Sequence, residues 1–445
     1  MIPGAGRQRL VVATVLAITI TISLIVMDAG LAPRAAFVAV LCLFLWLSGW
    51  VPGWVPTLVL WGATPLLLGT VDARFGVLQV LRSSVDPVLA LFLAGFALAK
   101  SAQDQGLDAR MAAFALRKSG GSTVRLVGVA ALTTAMLSMW MSNVAAAALM
   151  LKAFHPILVH AQANAALRMS LLLSIALAAD VGGIATPIGT GANGIAMAAI
   201  ARTHPISFLH WMTFGVPLAL VFTLAAVAFV IRRFRAVDDL LPDNFEIAPR
   251  GGSSATKLVI VFSLTLVLWL SEPLHGVNSW IVALGAVAAL LLLRVLDLRH
   301  FVHLDWGTLL LVAGGIGLGG LLEQSGLVAD LAAQLPLATI PPVVRLLALC
   351  LASATLSALM SNTATAALLI PLAAAVDPAP STAIIVAVAA SLGIPFVMST
   401  PPNAMAVSAG LPPRELLGPG LLIMVGGCVL IALTGPWVLR AVGIS

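Results

Sequence analysis

Apolar stretches of roughly 15 to 25 residues recur from one end of the chain to the other, separated by short polar or Gly/Pro-rich breaks. A helix of about 20 apolar residues crosses a hydrocarbon core of about 30 Å, so the pattern predicts a series of membrane-spanning helices. Nine stretches read as single crossings: 10–28, 34–51, 54–71, 87–104, 209–231, 258–272, 278–296, 306–323 and 418–440. The first follows Arg7 and Arg9, lacks a small-residue cleavage site and is succeeded by further spans. It therefore reads as a span rather than a cleaved leader.

Four further apolar stretches are too long for one crossing. Residues 126–159 and 343–376 are interrupted near the middle by Ser142-Asn143 and Ser361-Asn362. Residues 168–202 and 381–411 are broken by Thr186-Pro187-Ile188-Gly189-Thr190-Gly191-Ala192-Asn193 and by Ser399-Thr400-Pro401-Pro402-Asn403. Irregular backbone at membrane depth is tolerated only where protein buries it or where it lines a watery site.

These interruptions repeat. Ala94-Gly95 matches Gly314-Gly315, the Ser142-Asn143 break matches Ser361-Asn362, and Gly189-Thr190-x-x-Asn193 matches Ser399-Thr400-x-x-Asn403, at offsets of 220, 219 and 210 residues. Paired interrupted segments in two halves mark the binding site of many transporters. If each Ser-Asn stretch is a re-entrant hairpin, five crossings lie between the two hairpins: 168–202, 209–231, 258–272, 278–296 and 306–323. An odd number sends the hairpins in from opposite faces, which is an inverted repeat.

Composition agrees with this reading. Of 445 residues, 61% are hydrophobic and 9% charged, against about 25% charged in soluble domains. With the N-terminus inside, fifteen of the 23 basic residues fall on inner positions and six on outer ones, as the positive-inside rule requires. The net charge of +6 follows from that bias, and no basic cluster interleaved with aromatics points to nucleic acid. Cys42, Cys350 and Cys428 stand singly in apolar runs and carry no metal-binding spacing. The polar stretch 232–257 reads as a cytoplasmic linker.

The candidate chemistry is neutral. Ser138 and Ser142, and likewise Ser357 and Ser361, are four apart, a spacing that puts each pair on one helical face beside Asn143 or Asn362. Hydroxyls, amide oxygens and freed carbonyls are hard ligands suited to a small hard cation. Neither motif holds Asp, Glu or His, which favours sodium over proton coupling. Neither holds Arg or Lys, so an anion has to be held by amides, hydroxyls, helix N-termini and the bound cations. Asp180, just before the first break, reads either as a paired structural carboxylate or as a functional one. Lys152 reads as snorkelling to the surface.

These motifs resemble the divalent anion/sodium symporter family, whose members carry dicarboxylates, citrate or sulfate. The resemblance implies an all-α polytopic membrane protein of about eleven membrane helices plus two re-entrant hairpins. It also implies a homodimer in the cell membrane and an elevator movement against a scaffold. The corresponding division is scaffold helices in 1–86 and 258–305, a first repeat in 87–231 and a second in 306–445. Carried over, Ser138, Ser142, Asn143 and Gly189 form one sodium site, and Ser357, Ser361, Asn362 and Ser399 the other. Asn143, Asn362, Thr363, Thr190 and Thr400 face the anion, Pro402 lines the site, and Val144 stands where the first tip of the family has Thr. Gly191-Ala192 stands in place of Pro-Pro, and Lys152 in place of an uncharged residue. The missing hydroxyl at Val144 weighs against symmetric clamping of a dicarboxylate.

Sodium-coupled symport of a small di- or trivalent anion is therefore the expected function. Its alternatives are a sodium-independent anion exchanger and a related arsenite or proton-coupled permease. A membrane-embedded enzyme is disfavoured, because no Ser/His/Asp set, paired acids or His-Glu-x-x-His motif is evident.

Overall fold

The computed structural model describes residues 29–48, 50–160, 164–201, 203–234, 254–334 and 340–444. The expected first span, 10–28, and most of the expected linker lie outside the described residues. Among the described residues every regular element is helical.

The chain runs through α1 (Leu31–Ser48), α2 (Val55–Leu67), α3 (Val77–Ser84), α4 (Val88–Asp104) and α5 (Leu107–Ser119). It continues through α6 (Thr123–Ser138), α7 (Asn143–Ala153), α8 (Ala165–Gly182), α9 (Gly191–Ile200) and α10 (Phe208–Phe234). The second half holds α11 (Ala255–Leu270), α12 (Ser279–Leu292), α13 (Trp306–Gln324), α14 (Leu327–Gln334) and α15 (Pro342–Leu359). It ends with α16 (Asn362–Val376), α17 (Pro380–Ala390), α18 (Pro401–Ser408), α19 (Arg414–Leu421) and α20 (Gly427–Ala441), the last two joined through a π turn at Leu422–Gly426.

Six of these helices, with α19 and α20 counted as one, are long and apolar enough to cross a membrane, and the bent pair α3–α4 makes a seventh if it is one span. The 53° bend falls at Val85-Asp86-Pro87, where the proline disfavours helical backbone in the residue before it. Asp86 Oδ1 then accepts from Val88 N at 2.9 Å and restarts the helix. The short helices α3, α5 and α14 were not expected. Each is too short or too charged to register as an apolar run.

The broken stretches form the centre. Of the α8 segment 89% is buried, against 28% of α1 and of α15, which face outward. The two halves interlock symmetrically around this centre. In the first half α9 packs on α16 and α17, and in the second α18 packs on α7 and α8. The helix pairs outside the repeats are exchanged in the same way: α12 packs on α4 of the first repeat, and α2 on α13 of the second. Each break thus meets the other half's hairpin, so that one site is built from both repeats.

Candidate functional site

The two tips are built alike. Ser142 Oγ accepts from Ala145 N at 3.3 Å and Ser361 Oγ accepts from Ala364 N at 3.2 Å. Both serines are therefore N-caps that start α7 and α16. This corrects the expected pairing of serines on one helical face. Helix α6 ends at Ser138 and α15 at Leu359, so each later serine belongs to the next helix. The pairs that meet are five apart: Ser138 Oγ donates to Asn143 Oδ1 at 2.9 Å, and Ser357 Oγ to Asn362 Oδ1 at 2.8 Å.

The breaks are also built alike. Thr190 caps α9 by accepting from Ala192 N, and Thr400 caps α18 by accepting from Asn403 N, each at 3.4 Å. Asn193 Nδ2 donates to Gly183 O (2.9 Å) and Thr186 O (2.8 Å). Asn403 Nδ2 donates to Ile394 O (2.7 Å) and Phe396 O (3.0 Å). The matched asparagines thus staple each break shut, and both are fully buried. Each break is tied to its tip by a hydroxyl. Ser399 Oγ donates to Ala358 O at 3.2 Å. In the first repeat Thr186, not Gly189, makes the corresponding bond, to Met139 O.

At the first tip several oxygens converge. Ser138 Oγ lies 2.6 Å from Ala179 O as well as 2.9 Å from Asn143 Oδ1. One hydroxyl hydrogen therefore serves two acceptors. Gly183 sits against the same cluster: a Cβ there would lie 2.6 Å from Asn143 Oδ1 and 2.9 Å from Gly189 O. Three of the four residues expected at the first cation site, Ser138, Asn143 and Gly189, are thus brought together, with Ser142 as the adjacent cap.

A cavity of about 150 Å³ opens between the tips and the breaks. Ser142, Asn143 and Val144 line it from one tip, and Ser361, Asn362 and Thr363 from the other. Gly189, Thr190, Gly191, Ser399, Thr400, Pro401 and Pro402 come from the breaks, and Phe92, Phe96, Ile188 and Thr308 complete the wall with Asp180. Every expected site residue lines it except Ser138 and Ser357, which lie fully buried behind the asparagines. The N-termini of α7, α9, α16 and α18 all open onto this space, which gives it four positive helix ends. A larger groove of about 270 Å³ lies between α10, α17 and α20. Among the residues lining it only Thr434 has a hydroxyl, and that is donated to Leu430 O at 2.7 Å, so the groove offers an anion nothing.

Two features already noted in the sequence acquire their geometry here. Asp180, 1% exposed, is the one ionisable residue among those lining the cavity, and its Oδ2 accepts from Thr400 Oγ1 at 2.9 Å. The Thr400 hydrogen is therefore turned away from the anion it was expected to meet. The third tip residues also differ. Thr363 is 7% exposed, packed so close to Gly191 that a Cβ there would lie 2.3 Å from Thr363 Oγ1, whereas Val144 is 42% exposed. The glycine in place of proline makes room for the threonine.

A model of the citrate transporter family matches residues 43–393. An uncharacterized transporter of Haemophilus influenzae is 29% identical over 440 residues, covering 92% of this chain and 91% of that one. A sodium-dependent dicarboxylate transporter of Staphylococcus saprophyticus, SdcS, is 29% identical over 417 residues, covering 84% of this chain and 80% of that one. The crystal structure of the Alcanivorax borkumensis YdaH transporter, described as having an unusual topology, is similar in fold, with a TM-score of 0.58 at 16% identity over 92% of this chain and 99% of that one. The resemblance to the divalent anion/sodium symporters is borne out, and the matching proteins are transporters rather than enzymes.

Proposed function

The chain belongs to the citrate transporter family, and from that premise we propose that it is a sodium-coupled symporter of a small di- or trivalent anion: a dicarboxylate, citrate or sulfate. The observation that carries the sodium assignment is the first tip, where Ser138 Oγ, Asn143 Oδ1 and Ala179 O share one hydroxyl hydrogen. Crowded neutral oxygens of this kind are relieved by a small hard cation. Ser357 Oγ and Asn362 Oδ1, at 2.8 Å, repeat the arrangement at the second tip, with Ser361 and Ser399 beside it. Ser142 and Gly189 complete the first set.

The anion sits between these sites, faced by Asn143, Val144, Thr190, Asn362, Thr363, Thr400 and Pro402. The cavity of about 150 Å³ has room for a small anion. Without cations, four helix ends and a few amides are all that attract a desolvated dianion. Sodium at each tip supplies the missing positive charge, and by linkage each ligand then tightens the other.

Transport is by an elevator movement. Repeats 87–231 and 306–445 carry the site past scaffold helices in 1–86 and 258–305, in a homodimer with about eleven membrane helices per chain. The protein sits in the cell membrane with its N-terminus and the 232–257 linker in the cytoplasm. The test is uptake of labelled succinate, citrate or sulfate into proteoliposomes with and without an inward sodium gradient. Uptake is expected to need sodium, and equal uptake without it across the panel overturns the coupling.

A further inference from the structure

We propose that Asp180 holds a third sodium ion that travels with the anion. This inference rests on the sodium-coupled reading above and adds a cation site to it.

The carboxylate is placed where charge matters most. Asp180 is buried at the C-terminal end of α8, on the wall of the cavity and beside the first tip, whose Asn143 Nδ2 donates to Asp180 O at 3.4 Å. Oδ2 accepts from Thr400, while Oδ1 has no hydrogen-bond partner among the described residues. No salt bridge among the described residues involves Asp180 either. Arg168, the basic residue of the same helix, lies about 18 Å away at 1.5 Å per residue and donates to Ala409 O at 2.6 Å.

The fold does not require an acid there. The equivalent staples, Asn193 on Gly183 O and Asn403 on Ile394 O, pair Gly182 with Gly393, so the counterpart of Asp180 is Ser391, which is buried at the end of α17. A neutral hydroxyl therefore occupies the equivalent position of the second repeat. The carboxylate is an addition on one side of a near-symmetric site.

Charge balance indicates what it takes. Two sodium ions neutralise a dianion, which leaves an ionised Asp180 as an uncompensated charge on the cavity wall. Such a charge is strongly disfavoured at membrane depth unless it is paired. A third monovalent cation on Oδ1 restores neutrality, with Thr400 Oγ1 as a neighbouring hard oxygen. The same ion brings positive charge to the side of the anion where Thr400 no longer has a hydrogen to give.

The test is a double-label flux measurement in proteoliposomes, radiosodium against labelled anion, on the wild type, Asp180→Asn and Asp180→Ser. The asparagine keeps the shape and an acceptor for Thr400. The sodium-to-anion ratio of the transport that remains is expected to fall by roughly one ion in both variants. An unchanged ratio overturns the Asp180 assignment and leaves sodium coupling standing. Sodium-independent uptake by the wild type removes both. A wild type that prefers an amino-dicarboxylate, with the preference lost in Asp180→Asn at constant ratio, assigns Oδ1 to the substrate ammonium and also overturns the proposal. If the variants fail to fold, equilibrium radiosodium binding to the anion-saturated wild type decides: three saturable sites per chain support the inference and two overturn it.

Discussion

Thr400 donates its hydroxyl hydrogen to Asp180 across 220 residues of sequence, at 2.9 Å, and so joins the second break to the first broken helix. A hydrogen bond to a charged group contributes about 1.5–3 kcal/mol. Thr400→Val removes the donor and keeps the shape. It is expected to raise the sodium concentration for half-maximal uptake roughly ten-fold or more. Thr400→Ser keeps the hydroxyl and is expected to stay near the wild type. Identical sodium dependence in the two variants means that the bond has no part in transport.

The tip asparagines are expected to be indispensable. Asn143→Ala removes one of the two acceptors of Ser138 and the donor to Asp180 O, and Asn362→Ala removes an acceptor of Ser357. Each loses a cation ligand and an anion-facing amide together. Sodium-driven uptake should fall on the order of a hundred-fold, from two or more lost interactions of about 1.5 kcal/mol each. Size-exclusion profiles should be unchanged. Ser138→Ala and Ser357→Ala, which lie behind the cavity, should mainly weaken sodium affinity. Normal uptake by either asparagine variant removes that residue from the site.

What the sequence made legible is what stood out against apolar surroundings. The tips and breaks are polar interruptions at matching offsets, and their residues line one cavity. What it hid depended on local geometry. Whether Ser142 shares a helix with Ser138 turns on where α6 stops, and four-residue spacing alone cannot fix that. The tie from the first break to its tip comes from Thr186, three positions before the residue that register alignment names. Asp180 stands out as a carboxylate where the other repeat has Ser391, but that it lines the cavity and meets Thr400 depends on how the two repeats interlock. The amphipathic helices α3, α5 and α14 lack the apolar run that marked the others.

Gly191 and Thr363 form a close-fitting pair between the repeats. A Cβ at Gly191 would lie 2.3 Å from Thr363 Oγ1 and 2.8 Å from its Cγ2. Gly191→Ala therefore forces one tip away from the opposite break. It is expected to destabilise the protein by about 1–3 kcal/mol, the usual range for overpacking. Thr363→Ala should relieve the contact, so the double variant is expected to be more stable than Gly191→Ala alone. Melting temperatures of the four proteins in the double-mutant cycle measure the coupling. Strictly additive values would mean that the two side chains do not compete for the space.

The unequal tips lead to the last expectation. Val144 and Thr363 occupy the same position in the two repeats, yet Thr363 is sealed beneath Gly191 and Val144 is 42% exposed to the cavity side. The open position lacks the hydroxyl, and the position with the hydroxyl is covered. A dicarboxylate therefore meets no hydroxyl donor at the exposed third position of the first tip. Valine and threonine are nearly isosteric, so Val144→Thr adds a donor where there is room for it and leaves packing unchanged. A neutral hydrogen bond contributes about 0.5–1.5 kcal/mol, which corresponds to a gain of roughly two- to ten-fold in apparent affinity for succinate. Sulfate, which is compact and has no second carboxylate to anchor, should gain less. Competition of succinate and sulfate against one labelled substrate, in the wild type and Val144→Thr, gives both ratios. A variant with unchanged ratios would mean that residue 144 does not touch the cargo, and substrate choice would then have to be sought on the Phe92, Phe96 and Thr308 wall of the cavity.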